Sequence, residues 1–207
     1  MTSAIERIHA GHVHGRRVRV LAEHIAALLP AHDGARVLDV GCGDGQIDQL
    51  ILAQSAYRLN IEGIDVLVRD DAHIPVKPFD GDSIPHPDAT FDAVMFIDVL
   101  HHTTGPTTLL REALRVLKPT GAIVLKDHTM NGLLARRTLR FMDRVGNARH
   151  GVVLPYNYWT KQQWLAAFDE FGLKIDSWTT HLGLYPFPAN LVFGRSLHFV
   201  AKLVQKR

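Results

Sequence analysis

The residues able to do chemistry fall into two groups. The first is a glycine turn in DVGCGDG, where Gly41, Gly43 and Gly45 alternate and Asp39 stands two residues ahead of Gly41. Glycine lets a backbone approach a ligand closely and leaves N–H groups pointing outward, an arrangement suited to a nucleotide-containing ligand. The second group consists of polar residues that end apolar runs. Asp65 follows IEGI, and Asp80 follows IPVKPF. Asp98, His101 and His102 follow AVMFI, and Asp127 and His128 follow AIVLK. A histidine in such a place can take a proton from a hydroxyl or amine near neutral pH, its unperturbed pKa being about 6.5. Each aspartate has a plainer alternative as a helix N-cap.

These residues need elements to position them. Arg36–Val40 reads as a buried strand, and Gln46 opens a helix with Ile47, Leu50 and Ile51 at helical spacing. Further short strands are expected at Ile61–Asp65, Ile74–Phe79, Ala93–Ile97 and Ala122–Lys126. A helix from Pro106 carries Leu109, Leu110, Ala113, Leu114 and Leu117. Before the first strand, Val18, Leu21, Ile25, Leu28 and Leu29 form the stripe of a helix over Arg16–Leu29, which Pro30 closes. Strands alternating with helices at this rhythm imply a parallel sheet covered on both faces. Downstream, Asn131–Val145 reads as a helix with Arg136, Arg137, Arg140 and Arg144 on one face and Leu134, Phe141, Met142 and Val145 on the other. Thr160 with Gln163 matches a capping box, and Gly172 stops the helix that it opens. Lys174–Thr180 and Leu197–Val204 are two late strands.

The totals exclude several classes. A length of 207 residues suits one domain with a real core. No apolar run approaches the ~20 residues of a membrane span, and the first residues carry no signal-peptide core. Cys42 is the only cysteine, which excludes an internal disulfide and a cysteine zinc cluster. A formal charge of +2 gives no argument for nucleic acid. The 13 histidines include no HExxH, and Asp127, His128 and His102 match no metal motif, so no metal is expected. The cytoplasm is the default compartment.

The dinucleotide fingerprint GxGxxG would need a third glycine at Gln46, so the spacing here is GxGxG. With Asp39, it resembles the first motif of class I S-adenosylmethionine-dependent methyltransferases. GID, FDG, IPHPDATFDAV, VLHH and RVLKPTGAIVLKDH follow in that family's order. PDATFD and RVLKPTG have turn-forming and capping residues enough to be structural. The resemblance implies a Rossmann-like, doubly wound seven-stranded α/β sheet, its last strand antiparallel between the fifth and sixth. It implies one domain over 1–207, with cap elements at 1–29, 129–159 and 181–196.

The cofactor implied is S-adenosyl-L-methionine. By resemblance, Gly41, Cys42 and Gly43 approach its amino-acid end and Asp39 lies near its ammonium. Asp65 accepts from the ribose hydroxyls, with Glu62 the weaker candidate. Asp80 and Gly81 meet the adenine amino group, with Asp82 close enough in sequence to confuse the assignment, and Val66 packs on the ring. Asp98 completes the cofactor set. The reacting centre lies over the fourth and fifth strand ends, where His101, His102 or His128 is the candidate base; the alternative is that these histidines only pack and alignment does the work. Arg16 and Arg17 can reach toward the cofactor carboxylate from the N-terminal helix. The partner expected is a small-molecule methyl acceptor, oxygen favoured and nitrogen or carbon open. Phe141, Met142, Tyr156, Tyr158, Trp159, Tyr185, Phe187 and Phe193 would give it an aromatic or apolar cleft. Competing readings are a nicotinamide-dependent oxidoreductase and a non-catalytic cofactor-binding partner subunit.

Overall fold

The computed structural model describes residues 4–131, 134–146, 157–187, 190, 193, 194 and 197–206. Helix α1 (Ala4–Ala26) precedes β1 (Arg36–Val40), α2 (Gln46–Gln54), β2 (Asn60–Asp65) and β3 (Val76–Pro78). Next come β4 (Phe91–Ile97), a 3-10 turn (Leu100–His102), α3 (Pro106–Val116) and β5 (Leu117–His128). The chain continues through α4 (Ala135–Gly146), α5 (Lys161–Glu170), β6 (Leu173–Thr179) and β7 (His198–Gln205).

The strands form one seven-stranded sheet in the order β3-β2-β1-β4-β5-β7-β6. β1 pairs parallel with β2 and β4, and β4 parallel with β5. β7 lies antiparallel between β5 and β6, as the resemblance implies. Two hydrophobic clusters cover the two faces. One packs α3 and α5 against the sheet through Leu109, Leu110, Trp164 and Phe168; the other packs α1 and α2 through Leu21, Ile25 and Ile51. The order of strands reverses at β1 and β4, so the carboxyl ends of these two strands open the crevice in which such sheets bind ligands.

Several boundaries differ from the sequence reading. α1 begins at Ala4 rather than Arg16, because AIERIHAGHVHG has no apolar stripe to mark it. It also ends earlier, as the N–H groups of Leu28 and Leu29 turn back to the carbonyls of Ile25 and Ala26 in a tighter final turn. β3 is three residues long, and Ile74, read as strand, is instead buried against the glycine turn. β5 starts at Leu117, five residues before Ala122, because Leu117 pairs with Phe91 across an irregularity. A side chain at Gly121 would meet Leu117 Cδ1 at 2.7 Å and the Asp92 carbonyl at 2.9 Å, so the KPTG turn needs its glycine.

The capping box at α5 forms on both sides: Gln163 N–H donates to Thr160 Oγ1 and Thr160 N–H to Gln163 Oε1. Gly172 follows at φ 63°, the left-handed stop expected of it. The RVLKPTG and PDATFD segments are structural. Arg115 donates to Glu112, to Asp88 and to the carbonyls of Ile84 and His86, pinning that loop to α3. Among the described residues, no helix is long and apolar enough to cross a membrane.

Candidate active site

The glycine turn leaves β1 at Val40 and passes through Gly41, Gly43 and Gly45, at φ 75°, 62° and 71°. Side chains are disfavoured there twice over. The backbone is left-handed, and a Cβ on Gly41 would stand 2.7 Å from Val99 Cγ2. Asp65, ending β2, holds the turn in place: its Oδ2 accepts from Gly43 N–H at 2.8 Å and its Oδ1 from Leu67 N–H at 2.9 Å. Each carboxylate oxygen keeps further lone-pair capacity.

Beneath the turn, two acids are buried together. Asp39 is 2% exposed and Asp48, in the first turn of α2, is fully buried. Oδ1 of Asp39 and both carboxylate oxygens of Asp48 meet no hydrogen-bond donor. Burial, and then the charge of Asp48, raise Asp39 well above the carboxylate range. A ligand bearing a cation on a slim, backbone-hugging end fits this turn.

The remaining residues predicted for this side divide. Val66 is 61% exposed and flanks Gly81, whose Cβ would meet Val66 Cγ1 at 3.4 Å, so the two form one wall beyond β2 and β3. Asp80 accepts from the N–H groups of Asp82 and Ser83, shaping its own loop. Cys42 turns its thiol inward against Gly63, and its backbone is engaged within the turn, its N–H donating to the Ile64 carbonyl and its carbonyl accepting from Gly45 N–H. Glu62 is engaged with Lys77 and Arg36.

A second buried polar cluster sits over the ends of β4, β5 and β7. Asp98 leaves β4 with φ 59°, uncommon for a residue with a Cβ. Its carboxylate is bonded by Lys126 and Arg17, with His128 Nε2 at 3.3 Å. Lys126 and Arg17 hold Asp98 well below the carboxylate range against its burial. Arg17 therefore reaches Asp98 from α1 and closes that helix over the strand ends, while Arg16 donates to the Gly183 carbonyl. Asp98, His101 and His128 offer ligand atoms within 4.8 Å of one another. A dication there would have to displace Lys126 and Arg17, which already neutralise the carboxylate.

His101 is 1% exposed and its Nδ1 lies 2.6 Å from Asp127 Oδ1, a fully buried carboxylate 26 residues on. With Nδ1–H donating to Asp127, Nε2 is the proton acceptor. Tyr158 stacks on the imidazole at 5.6 Å, and Asn157 N–H donates to the His101 carbonyl, so the segment before α5 roofs the cluster. His102 is half-buried beside it, and burial and His101 push its pKa down to about 4. Burial and Lys126 also hold His128 neutral, well below its usual range. Both are neutral near pH 7. His198 of β7 pairs in register with His128.

Of the cleft aromatics, Trp159 packs on Trp164, Tyr185 lies near His198 and Phe193, and Phe187 projects outward at 81% exposure. Arg136, Arg137 and Arg140 are exposed on α4. The side chains of Phe141, Met142, Arg144 and Val145, those of His9, His12 and His14, and all of Tyr156 lie outside the described residues.

Sequence reasoning missed the roles of Asp48 and Lys126, and the partnership of Asp127 with His101. Two signals were available. Asp48 stands three residues before Ile51, on the buried face of α2. Lys126 interrupts an otherwise apolar strand and shares its face with His128.

A family model described as a methyltransferase domain matches residues 12–177. The 27-O-demethylrifamycin SV methyltransferase of Amycolatopsis mediterranei is 31% identical over 120 residues, covering 52% of this chain and 43% of that protein. The 24-methylenesterol C-methyltransferase 2 of Oryza sativa is 30% identical over 158 residues, covering 70% and 43%. This chain thus aligns with less than half of either relative's length. Among solved structures, the geranyl diphosphate C-methyltransferase of Streptomyces coelicolor, in complex with Mg2+, geranyl diphosphate and S-adenosyl-L-homocysteine, superposes with a TM-score of 0.66. It is 14% identical, and the match covers 89% of this chain and 79% of that one. An S-adenosylmethionine-dependent methyltransferase of Mesorhizobium loti gives 0.63 at 18% identity, covering 87% and 95%; at these identities the likeness is one of fold. The glycine turn at the β1/β4 reversal, the antiparallel β7 and the match over 12–177 agree: the chain belongs to the class I S-adenosylmethionine-dependent methyltransferases.

Proposed function

We propose that this protein transfers a methyl group from S-adenosyl-L-methionine to an oxygen of a small, aromatic or apolar acceptor. The cofactor supplies an electrophilic methyl group carried on a sulfonium. In this reading Gly41 and Gly43 admit its amino-acid end, and Asp39 and Asp48 face its ammonium. Asp65 accepts from the ribose while holding Gly43. Val66 and Gly81 flank the adenine, with Asp80 shaping the loop that carries Gly81.

The choice of oxygen rests on one observation: His101 Nδ1 stands 2.6 Å from the buried carboxylate of Asp127. A carboxylate on Nδ1 fixes the tautomer and stabilises the imidazolium that forms when Nε2 takes a proton. A hydroxyl becomes a far better nucleophile when its proton has such an acceptor. Asp127 is here a positioning residue acting through His101. His102, already neutral, and Tyr158 wall the site and exclude water. Relatives by name transfer to either atom, the Amycolatopsis protein being a 27-O-demethylrifamycin SV methyltransferase and the Oryza protein a C-methyltransferase, so the oxygen reading stands on His101 and Asp127 alone.

The test is a panel of phenolic and aliphatic hydroxyl acceptors offered with the labelled cofactor, on wild type, His101→Gln and Asp127→Asn. Loss of the base should lower turnover about 10²–10⁴-fold, with affinity for S-adenosylhomocysteine held within twofold. Turnover within threefold of wild type in both variants would leave alignment alone as the mechanism. Transfer only to carbon acceptors would overturn the oxygen assignment.

A further inference from the structure

The carboxylates under the glycine turn are an electrostatic anomaly. Asp39 stands in β1 opposite Gly63 and Met95, and Asp48 enters from the first turn of α2, so strand and helix bring two acids together in the interior. Buried charges are ordinarily paired with a cation or a donor. Here three of their four oxygens meet neither. The surrounding groups do not help. The turn contributes Cys42 and Asp44, and β2 contributes Asp65, whose charge adds to the field at Asp39. Arg69 lies 4.0 Å from Asp44, and no described ion pair joins it to either buried acid. α1 meets this region with Leu21, Ala22 and Ile25, and β4 with Met95.

We infer that Asp39 and Asp48 form a proton-exchanging pair, holding one proton between them in the free protein and releasing it to solvent when the cofactor's ammonium group is bound. Two adjacent buried carboxylates do not both ionise readily, so a shared proton is the cheapest counter-charge available in the empty turn. An ammonium is a better one: it neutralises and donates hydrogen bonds at once. Asp48 is then a cofactor-binding residue in its own right. The direction of titration agrees, burial pushing Asp48 up to about 7. Cofactor affinity should accordingly rise with pH up to neutrality and level off above it. The inference rests on the cofactor reading given above and deepens it.

The experiment is calorimetric titration with S-adenosylhomocysteine between pH 5.5 and 8, in buffers of differing ionisation enthalpy. Methylthioadenosine, which has the nucleoside and lacks the amino-acid end, is the comparison ligand. For wild type, binding near pH 6 should release close to one proton, and affinity should fall by up to about tenfold per pH unit below 7. Methylthioadenosine should show neither effect. Asp48→Asn and Asp48→Thr, each checked for folding by circular dichroism, should bind S-adenosylhomocysteine with a flat pH profile. Binding by wild type with no proton release, or a slope retained in both variants, overturns the pair. Failure of wild type to bind S-adenosylhomocysteine at any pH overturns the cofactor reading as well, so the two failures are told apart.

Discussion

Asp39 and Asp98 stand at the ends of neighbouring strands, β1 and β4, yet their electrostatics are opposite. Both lose hydration on burial, which disfavours the charged carboxylate. Asp39 receives only another acid in return and is raised well above its usual range. Asp98 receives Lys126 and Arg17 and is held well below it. The difference lies in who supplies the cation. Around Asp98 the protein supplies its own, and the carboxylate becomes a clamp joining β4, β5 and α1. Around Asp39 the described residues supply none, and in the reading proposed above the cofactor's ammonium does.

The largest effect expected from this contrast is on stability. Lys126→Met removes a fully buried cation and strands Asp98 without its closest counter-charge, so a loss of about 3–5 kcal/mol is expected in urea unfolding. Adding Asp98→Asn should recover most of that loss. A Lys126→Met protein as stable as wild type would break the comparison. Because the Asp98 pKa is depressed, its contribution is full above the ordinary value of 3.8 and disappears as pH falls through the folded value. Acid unfolding of the wild type should therefore begin below about pH 4.

A smaller effect belongs to the cofactor side. Asp65→Asn keeps the shape but turns an acceptor toward donor character beside Gly43 N–H, so cofactor affinity should drop by roughly 1.5–3 kcal/mol. Glu62→Gln should change affinity little, because Glu62 is occupied by Lys77 and Arg36. Reversed results from the same calorimetry would shift the ribose contact to Glu62.

The smallest effect has the opposite sign and sharpens the contrast. Asp48 has a raised pKa, so the folded state holds a proton that the unfolded chain has already lost. Its ionisation therefore lowers stability progressively from pH 3.8 to about 7, and fully above that. Asp48→Asn should accordingly be more stable than wild type in the ligand-free protein at pH 8, with no measurable difference near pH 4. Urea melts at the two pH values decide it; a variant equally destabilised at both would mean that Asp48 is held by contacts rather than tolerated for a ligand.

Much of this architecture is legible in the chain itself. The apolar run RVLDV followed by alternating glycines can hardly be anything but strand, turn and helix. Thr160 and Gln163 announce a capping box three residues apart, and it forms. These signals are local: spacing along the chain is spacing in space. Where the local signal is missing, the reading slips. The first turns of α1 carry no apolar stripe, and Ile74 reads as strand although it is turned into the core beside the glycine turn.

The sequence alone determined that histidines and aspartates would gather at the strand ends, because each ends an apolar run and strands of a parallel sheet end together. Partnership it left open. His101 has Asp127 and Asp98 has Lys126 only because the register of β4 on β5 places residues 26 and 28 positions apart within bonding distance. Asp39 has Asp48, and no cation among the described residues, because α2 folds back over β1 and buries both acids. Charge state follows from burial and neighbours, and both are properties of the packed chain: one residue type, at the ends of two adjacent strands, becomes a charged clamp in one place and half of a buried acid pair in the other.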